Sequence, residues 1–412
     1  MTDGRAPLRT ITECRGCGSR DLALLVDYGP MPLAGGFLTR EELAGQERFP
    51  LRLARCRDCT LMQVLDIVPA SAIFTRYSYE SSTTRTLIDH FAAMAAELVA
   101  AHDAAGRLVV EFGCNDGVLL RPLLAAGARA VGVDPSDVAA RASRAAGWPL
   151  EQAYFTEEVA ARVKAAHGEA RIVTGNNVFA HMEDLHGILR GVTTLLEPEG
   201  TFVFEVHYQG DLLADVQYDT VYHEHVCYHS LTSLTRLLSM HALRIVDVRR
   251  IPIHAGSIRV SAVRDAAPRQ ASPAVAAMLA AERDWRPEDL APKVEARRRT
   301  LHDLVAGLRA GGRRVGAYGA AGRATILLNY CGLTPDLVES VLDMSPLRYG
   351  RYVPGVSIPV VPPETFHADP PDYAIMTAWN YEAEIVRKEQ AFLQAGGRFI
   401  VPLPEVRIVG PV

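Results

Sequence analysis

The sequence predicts an α/β protein with a small N-terminal zinc module, a central doubly wound domain and a C-terminal Rossmann-like α/β lobe. Three observations lead to this fold class: two paired-cysteine motifs near the N-terminus, alternating helices and short apolar strands in the centre, and a second alternating block near the end. We divide the 412 residues into 1–70, 71–265 and 266–412, because one hydrophobic core rarely serves a chain of this length.

The N-terminal module contains four cysteines in two C-x-x-C pairs, Cys14 with Cys17 and Cys56 with Cys59. This spacing lets two thiolates bind one tetrahedral ion, and a site closed by four sulfurs is structural because catalytic zinc keeps an open position. The long stretch between the pairs must form its own hairpins. Four unrelated free cysteines are one alternative. A redox-active pair is another, although it needs a thioredoxin-like context that 1–70 lacks. The pattern predicts one structural Zn²⁺.

Composition limits the partners of the chain. Charged residues make up 22% of the sequence and the formal net charge is -5, which disfavours a zinc-containing nucleic-acid-binding protein because phosphate contacts need a basic surface. No segment approaches the roughly 18 uninterrupted apolar residues of a membrane span. The cysteine count, 7, is odd, which agrees with a reducing compartment. We expect a cytoplasmic monomer that binds neither nucleic acid nor membranes.

The central domain begins with a helix and continues as strands that alternate with helices. Helical periodicity covers 86–101, and a further helix follows Asp134. The strand-like runs are short and apolar, and they lie at 108–112, 130–133, 172–174, 201–206 and 257–263. Alternation of this kind predicts βαβ units and a parallel sheet.

A glycine turn follows the first of these strands. Glu111, Gly113, Asn115 and Gly117 stand in an E-x-G-x-x-x-G spacing, which differs from the G-x-G-x-x-G of dinucleotide folds. S-adenosylmethionine has no phosphate to bind and needs only bare backbone against its methionine and ribose, which the two glycines supply. Asp134, after the second strand, can accept both ribose hydroxyls. An ordinary α/β turn with an N-capping Asp134 is the alternative. The pattern predicts a methyl-donor site.

Polar residues also follow the strand at 172–174. In an open α/β sheet the carboxyl ends of the strands line the ligand crevice, so Asn176, Asn177 and His181 are candidate site residues. We assign Asn176 to the donor. A helix-start asparagine and a surface histidine are the structural alternatives.

A dense cluster of titratable residues occupies 218–230, after the fifth strand, where loops commonly carry function. We favour a general base, His225, with Tyr222 and Glu224 orienting it or stabilising developing charge. Solvated histidines in a surface loop are the second interpretation. The third is a metal site, which an extended segment would build from residues sharing one face: His223, His225, Cys227 and His229.

The last third of the chain holds a connector and a second lobe. Residues 268–312 predict a pair of helices broken by Pro287 and Pro292. A strand at 315 then enters a glycine turn that ends at Arg323, with further strands at 338–342, 373–377 and 398–401 and a helix at 382–394. The turn fits a dinucleotide fingerprint loosely, which leaves an NAD-dependent nucleotide-sugar oxidoreductase or epimerase as an alternative function. A scaffold that closes the cleft is the simpler role.

Taken together, these motifs resemble the nucleotide-sugar C-methyltransferases of deoxysugar biosynthesis over almost the whole chain. The resemblance rests on the two cysteine pairs and on seven segments: 31–38, 77–82, 111–117, 177–181, 222–225, 319–322 and 371–380. It is closest to the sugar C-3 methyltransferases, and the C-5 enzymes share much of the pattern.

The resemblance implies a donor, an acceptor and a base. S-adenosylmethionine would methylate a 4-keto deoxysugar linked to a nucleotide, often dTDP, with His225 as base and Tyr222 and Glu224 assisting. The residue types suit this chemistry, because a carbon next to a ketone becomes nucleophilic once a base removes its proton and a donor supports the keto oxygen. Methylation at C-5 or on oxygen stays open.

The resemblance also implies the residues that bind the substrate. His181, a further catalytic residue, and Asn177 would line the sugar site, and one of Tyr77 and Tyr79 would face the substrate. Arg323 stands where the family often has Lys, and it is assigned to the phosphates of the nucleotide.

Overall fold

The computed structural model describes residues 8–69 and 81–410. Tyr77 and Tyr79 lie outside the described residues. The described chain forms four sheets, of two, four, six and seven strands. This arrangement confirms the predicted fold class.

The N-terminal module is a small antiparallel structure around the cysteines. Its strands are β1 (Arg9–Thr10), β2 (Leu22–Met31), β3 (Phe49–Cys56), β4 (Met62–Val64) and β5 (Asp66–Ile67). The long stretch between the cysteine pairs forms the β2–β3 hairpin, so the predicted hairpin is confirmed. β4 pairs on its other edge with a distant segment, Cys227–Tyr228, which lies just after the predicted base.

The central domain is one seven-stranded sheet with helices between the strands. The helices are α1 (Arg85–Ala101), α2 (Leu120–Ala125), α3 (Asp137–Ala146), α4 (Glu157–His167), α5 (Leu185–Leu195), α6 (Gln209–Ala214) and α7 (Leu231–Ser239). The strands are β6 (Leu108–Phe112), β7 (Arg129–Val133), β8 (Leu150–Glu151), β9 (Ala170–Asn176), β10 (Leu196–His207), β12 (Leu243–Ile251) and β13 (Ser257–Arg264), while β11 (Cys227–Tyr228) belongs to the module sheet.

The strand order of this sheet is β12-β13-β10-β9-β6-β7-β8, and the five strands from β10 to β8 are parallel. Their carboxyl ends therefore meet at one edge, where an open α/β sheet binds its ligands. β13 runs antiparallel to both β10 and β12, so the prediction of a wholly parallel sheet is wrong at this end. Strand β12 was not predicted from the sequence, because charged residues interrupt its apolar pattern.

The connector and the C-terminal lobe complete the chain. The helices are α8 (Pro273–Glu282), α9 (Leu290–Ala310), α10 (Gly322–Tyr330), α11 (Pro363–Ala368), α12 (Glu382–Lys388) and α13 (Gln390–Gln394). The strands are β14 (Val315–Tyr318), β15 (Val341–Leu342), β16 (Val360–Val361), β17 (Tyr373–Met376), β18 (Arg398–Val401) and β19 (Arg407–Val409). All neighbouring pairs in this sheet are parallel except β18 with β19.

Two predicted details of this part are wrong. Pro292 does not break a helix, because it lies in the first turn of α9, where the backbone N–H has no intrahelical acceptor to lose. The single helix predicted at 382–394 is two short helices that meet at Glu389. The carboxylate of Glu389 is buried and accepts a hydrogen bond from the Tyr318 hydroxyl (2.7 Å), which ties this junction to β14.

The N-terminal module lies between the two lobes. Apolar side chains of its hairpin, such as Val26 and Leu51, share one core with α9 and β14, while Cys14 and Cys56 pack into the core of the central domain. The segment around the predicted base is thus held between the module and both lobes. In the described part of the chain, no helix combines the length and the apolarity that a bilayer crossing needs.

Candidate active site and metal centre

The four cysteines of the module come together as the sequence predicts. Their sulfur atoms all lie within 4.8 Å of one another, with Sγ–Sγ distances of 3.5 Å for Cys14 and Cys59 and 3.6 Å for Cys17 and Cys56. Zinc–sulfur bonds of about 2.3 Å in a tetrahedron separate sulfurs by about 3.8 Å, so the cluster fits zinc. Across residues 8–69 and 81–410, no other group of three or more such ligands has metal-binding spacing.

The metal centre is connected to the segment that carries the predicted base. Arg15, inside the first cysteine pair, donates from Nη1 to the carbonyl oxygens of Val64 (2.8 Å) and Val226 (3.5 Å). The backbone N–H of Val64 also donates to the Val226 carbonyl (3.0 Å), and the hydroxyls of Thr60 and Ser230 lie 2.7 Å apart. The zinc module therefore holds the backbone of Val226 and the side chain of Ser230, which follow the predicted base in the chain.

The glycine turn after β6 has the conformation that its glycines predict. Gly113 and Gly117 have φ values of 68° and 77°, in the left-handed region that favours glycine. A Cβ on Gly113 would collide with Val178, and one on Gly117 would lie 3.1 Å from the Trp148 ring. Backbone conformation and packing of the protein itself therefore demand glycine at both positions.

Acceptor groups converge around this turn. Glu111 Oε2, Asp116 Oδ1 and Asn176 Oδ1 are buried and have no hydrogen-bond partner within the described residues. Burial, and next the negative charges of Asp134 and Asp116, raise the pKa of Glu111 well above its ordinary value. Orphaned acceptors suit a ligand that brings positive charge and hydroxyl groups. S-adenosylmethionine, with its sulfonium, ammonium and ribose, fits this chemistry.

Asp134 lies at the carboxyl end of β7, next to the turn. Its Oδ2 accepts from the Asn115 backbone N–H (2.9 Å), and its Oδ1 accepts from the backbone N–H (2.8 Å) and hydroxyl (2.6 Å) of Ser136. Ser136, not Asp134, is the N-cap of α3, since its side chain accepts from the Ala139 N–H. The capping alternative for Asp134 is therefore wrong.

The predicted base is paired with a tyrosine. His225 Nδ1 lies 3.2 Å from the carbonyl oxygen of Thr220, which can only accept, so this nitrogen carries the proton. The other nitrogen, Nε2, then accepts from the Tyr222 hydroxyl at 2.8 Å, and the two rings lie 4.0 Å apart. Burial, and next the nearby His181 and His207, lower the pKa of His225 well below its ordinary value. The imidazole is therefore neutral at physiological pH.

His181 and Glu224 flank this pair. Nδ1 of His181 donates to the Glu224 carbonyl oxygen (2.7 Å), and the ring lies 4.8 Å from that of His225. Glu224 Oε1 accepts from the backbone N–H of Gly35 in the N-terminal module (3.2 Å), while its Oε2 is buried without a partner in the described chain. Burial raises the pKa of Glu224. His181 is thus part of the cluster, and the surface alternative is wrong.

The metal interpretation of 218–230 is not supported. The histidines of this segment point to different partners, because His223 Nε2 donates to the Pro50 carbonyl oxygen (3.0 Å) whereas His225 faces Tyr222.

Asn177 follows β9 and lies next to the end of β10. It has a φ of 57°, and its backbone N–H donates to the Glu205 carbonyl oxygen at the end of β10 (2.8 Å). Asn177 therefore lies at the carboxyl edge of the sheet, beside the end of β10, and its role in the site stays a prediction.

The second lobe brings a cation to the same crevice. Arg323, at the start of α10, donates from Nη1 to Asn380 Oδ1 (3.2 Å) and lies 5.1 Å above the Trp379 ring. Burial lowers the pKa of His225 and raises the pKa of Asp219; the positive charge of Arg323 adds to the first shift and opposes the second. Oδ2 of Asp219 accepts a hydrogen bond from Trp379 Nε1 (2.7 Å). Arg323 therefore faces the cluster from across the interface.

Two further histidines near the cluster were missed from the sequence. His207 directly follows the predicted strand 201–206, so the strand-end rule could have found it. Its Nε2 donates to Gln217 Oε1 (2.8 Å), and its buried Nδ1 has no partner among the described residues. Burial, and next the charge of Arg323, lower the pKa of His207 to about 3. The other histidine, His254, lies in the turn between β12 and β13.

Comparison with known proteins agrees with this architecture. Family models match three consecutive parts of the chain: a zinc binding domain at residues 14–74, a methyltransferase domain at 79–248 and a C-methyltransferase C-terminal domain at 252–404. The C-methyltransferase NovU of Streptomyces niveus is 40% identical over 412 residues, which cover 98% of each chain. A ubiquinone biosynthesis O-methyltransferase of Ralstonia nicotianae is 33% identical over 102 residues, 24% of this chain and 43% of its own.

Among solved structures, two methyltransferases are similar at 17% identity and a TM-score of 0.35. Magnesium protoporphyrin IX methyltransferase from Synechocystis PCC 6803 covers 46% of this chain and 89% of its own length. The CcbJ methyltransferase from Streptomyces caelestis covers 47% and 95%.

The chain belongs to the C-methyltransferase family that includes NovU. It is an S-adenosylmethionine-dependent C-methyltransferase with one structural zinc ion, so the predicted enzyme class and cofactors are confirmed. Membership of this family also decides against the NAD-dependent alternative.

Proposed function

We propose that the enzyme methylates C-3 of a 4-keto deoxysugar linked to a nucleotide, a dTDP sugar, through an enolate that His225 generates. The observation that carries the proposal is the hydrogen bond between Tyr222 and the unprotonated Nε2 of His225. The pair lies at the sheet edge that also carries the glycine turn after β6. A neutral imidazole with a phenol donor is the pair that enolate formation requires.

In this proposal, substrate binding breaks the hydrogen bond between Tyr222 and His225 and replaces it with one from Tyr222 to the substrate. The Tyr222 hydroxyl turns to the keto oxygen, which frees Nε2 of His225. The C-3 proton moves to Nε2, the C–H electron pair forms the enolate, and the charge on the oxygen is held by Tyr222. The buried carboxyl group of Glu224 would stabilise the imidazolium that results, and His181, whose ring lies 4.8 Å from that of His225, would hold the ring in position.

S-adenosylmethionine supplies an electrophilic methyl group, and its sulfur leaves as a neutral thioether that needs no acid. The proposed donor contacts come from the turn after β6 and from the strand ends beside it. Orphaned acceptors on Glu111 and Asn176 would face the cationic groups of the donor, and Asp134 would accept the ribose hydroxyls. Asn115 would give up its backbone bond to Asp134 when the ribose binds.

The nucleotide end of the substrate is assigned to the second lobe. Arg323 would bind the diphosphate, because its guanidinium has one hydrogen bond within the described residues and stands at the N-terminus of the nine-residue helix α10. Asn177 would contact the sugar, and one of Tyr77 and Tyr79 would complete the site.

The His225→Ala variant tests the base. Turnover of a dTDP-4-keto-6-deoxyhexose should fall roughly 10²–10⁴-fold, the usual contribution of a general base, while donor affinity stays unchanged. The matched control is His241→Ala, because His241 pairs with His186 away from the cluster and its loss should leave turnover unaffected. Rapid methylation by His225→Ala would move the base to Tyr222 or His181.

Reduction of the keto group tests the enolate. A substrate whose ketone is reduced to an alcohol should not be methylated, because its carbanion has no carbonyl into which to delocalise. Methylation of that alcohol on oxygen would make the enzyme an O-methyltransferase. Methyl transfer to C-5 of the ketone would keep the mechanism and change only the site of attack.

A further inference from the structure

The turn between β12 and β13 has an unusual sequence for its conformation. Its central residues, His254 and Ala255, have φ values of 54° and 67°, and the Gly256 N–H donates to the Ile253 carbonyl oxygen at 3.0 Å. Positive φ at both central positions is the pattern of a type I′ turn, which strongly prefers Asn-Gly. A non-glycine residue with positive φ, alanine in particular, is unfavourable. Local turn chemistry therefore does not explain these two residues.

The surrounding structure holds this turn in place. The Ala255 carbonyl oxygen accepts from Gln217 Nε2 (2.7 Å), and the same side chain accepts from His207 at the end of β10. The Tyr208 N–H donates to the Gly256 carbonyl oxygen (3.2 Å), and Asp211 fills the space that a Cβ on Gly256 would need. The unfavourable conformation is thus imposed from outside, as occurs at functional sites.

The turn lies at the carboxyl edge of the central sheet, because Ser257, at the start of β13, pairs with His207 at the end of β10. This is the sheet edge at which an open α/β sheet binds its ligands. Burial, and next the positive charge of Arg323, lower the pKa of His254 to about 4. Glu205, His90 and His181 also lie within electrostatic range of this imidazole. The imidazole is therefore neutral at physiological pH. It makes no hydrogen bond to any described residue, and His254 as a whole is only half-buried. A neutral imidazole in this position can both donate and accept.

We propose that His254 is a substrate-binding residue, whose imidazole hydrogen-bonds a hydroxyl or amino substituent of the sugar. The proposal rests on the proposed function, because it assigns a contact within the same crevice. In this account the unfavourable turn is retained because it directs the imidazole to the sugar beside Arg323. A residue with this role sets the affinity for the sugar and leaves the donor site untouched.

The His254→Asn variant separates this role from a structural one. Asparagine suits the turn better than histidine, so the melting temperature should stay the same or rise. The KM for a dTDP-4-keto-6-deoxyhexose should nevertheless rise about tenfold, the value of one lost hydrogen bond in a desolvated site, while affinity for S-adenosylhomocysteine stays unchanged. Stability and substrate affinity would then change in opposite directions.

The Ala255→Gly variant is the matched control. It relieves the same turn next to His254, so it should raise the melting temperature and leave KM unchanged. An unchanged KM in His254→Asn, with wild-type turnover intact, would overturn the role of His254 alone. Equal increases of KM in both variants would also overturn it, because a general change in the turn would then explain them. If the wild type methylates no 4-keto sugar nucleotide, the proposed function itself fails.

Discussion

The two α/β lobes of this enzyme build the same turn. In the central domain, the N–H of Asn115 donates to Asp134 Oδ2 (2.9 Å) and the N–H of Ser136 to Oδ1 (2.8 Å). In the C-terminal lobe, Asp343 follows β15 and accepts from the N–H of Ala320 (2.7 Å) and of Ser345 (2.8 Å) through the corresponding oxygens. Each lobe thus joins a glycine turn to an Asp-x-Ser segment on the neighbouring strand.

The lobes differ in what surrounds this turn. Around Asp134 lie carboxylate and amide oxygens without hydrogen-bond partners within the described chain. Asp343 instead forms an ion pair with Arg348 (3.1 Å), which also lies 5.3 Å above the Phe37 ring of the N-terminal module. The cation of the second lobe that faces the crevice is Arg323. The comparison teaches that one turn geometry can lie in two different electrostatic surroundings; under the proposed function these would suit a cationic donor in the first lobe and an anionic substrate in the second.

The largest effect should come from the module that lies between the lobes. Cys56→Ser should lose the zinc, and with it a metal-binding free energy on the order of 10 kcal/mol that folds such modules. Turnover should become undetectable, because β4 then no longer pairs with β11 beside His225. Elemental analysis should find about one zinc per chain in the wild type and in the control Cys331→Ala. A zinc-free variant with full activity would show that the two lobes need no metal module.

Arg323→Ala tests the assignment of the second lobe. Loss of charge-assisted bonds of about 1.5–3 kcal/mol should weaken binding of the nucleotide sugar roughly 10- to 100-fold, while calorimetry finds S-adenosylmethionine affinity unchanged. Arg323→Lys keeps the charge and should recover part of the affinity. Weaker binding of the donor in place of the sugar would reverse the roles of the two lobes.

Asp134→Ala should have the opposite effect on the two affinities, weakening binding of the donor and not of the sugar nucleotide. The variant loses the proposed ribose contacts, so donor affinity should fall at least tenfold while the sugar nucleotide still binds. Asp343→Asn is the matched control on the other lobe and should leave donor affinity unchanged. Equal donor affinity in wild type and Asp134→Ala would move the donor site away from this turn.

The last effect concerns folding stability and not ligand binding, and its dependence on pH also distinguishes the lobes. Burial lowers the pKa of His102 and His229, both in the central domain, to about 4. The unfolded chain therefore binds more protons between pH 6.5 and 4, so folding stability falls as the pH is lowered through this window, by about 1.4 kcal/mol per pH unit for each histidine. Chemical denaturation should show a shallower pH dependence in His229→Gln. An unchanged slope would assign acid sensitivity to other groups.

Much of this organisation could be predicted from the sequence. Cysteine spacing depends on local geometry alone, and strand β6 was predicted to the residue because it is buried throughout and bounded by charged and glycine residues. The glycine turn and Asp134 followed from the same local rules. Secondary structure was least predictable where tertiary contacts decide it, as at β12 and at the junction around Glu389.

The candidate site was only partly predictable. The sequence identified His225 and Tyr222, whose separation of three residues brings the rings together in one loop. It could not predict that β11 would pair with β4, because that contact joins segments more than 160 residues apart. His254 was missed for a similar reason. Its turn is held by Gln217 and Asp211, which are distant in sequence, and the turn lacks the Asn-Gly pair that would have predicted its conformation locally.

The central claim is that the methyl group joins a carbon that has first lost its proton beside the keto group. The most direct test uses a dTDP-4-keto-6-deoxyhexose that carries deuterium at C-3. After turnover with S-adenosylmethionine, NMR should find the new methyl group on C-3 and no deuterium there, and wild-type turnover should be slower than with the unlabelled sugar if proton removal limits the rate. A product that keeps the C-3 deuterium and carries its methyl group on oxygen would contradict the claim.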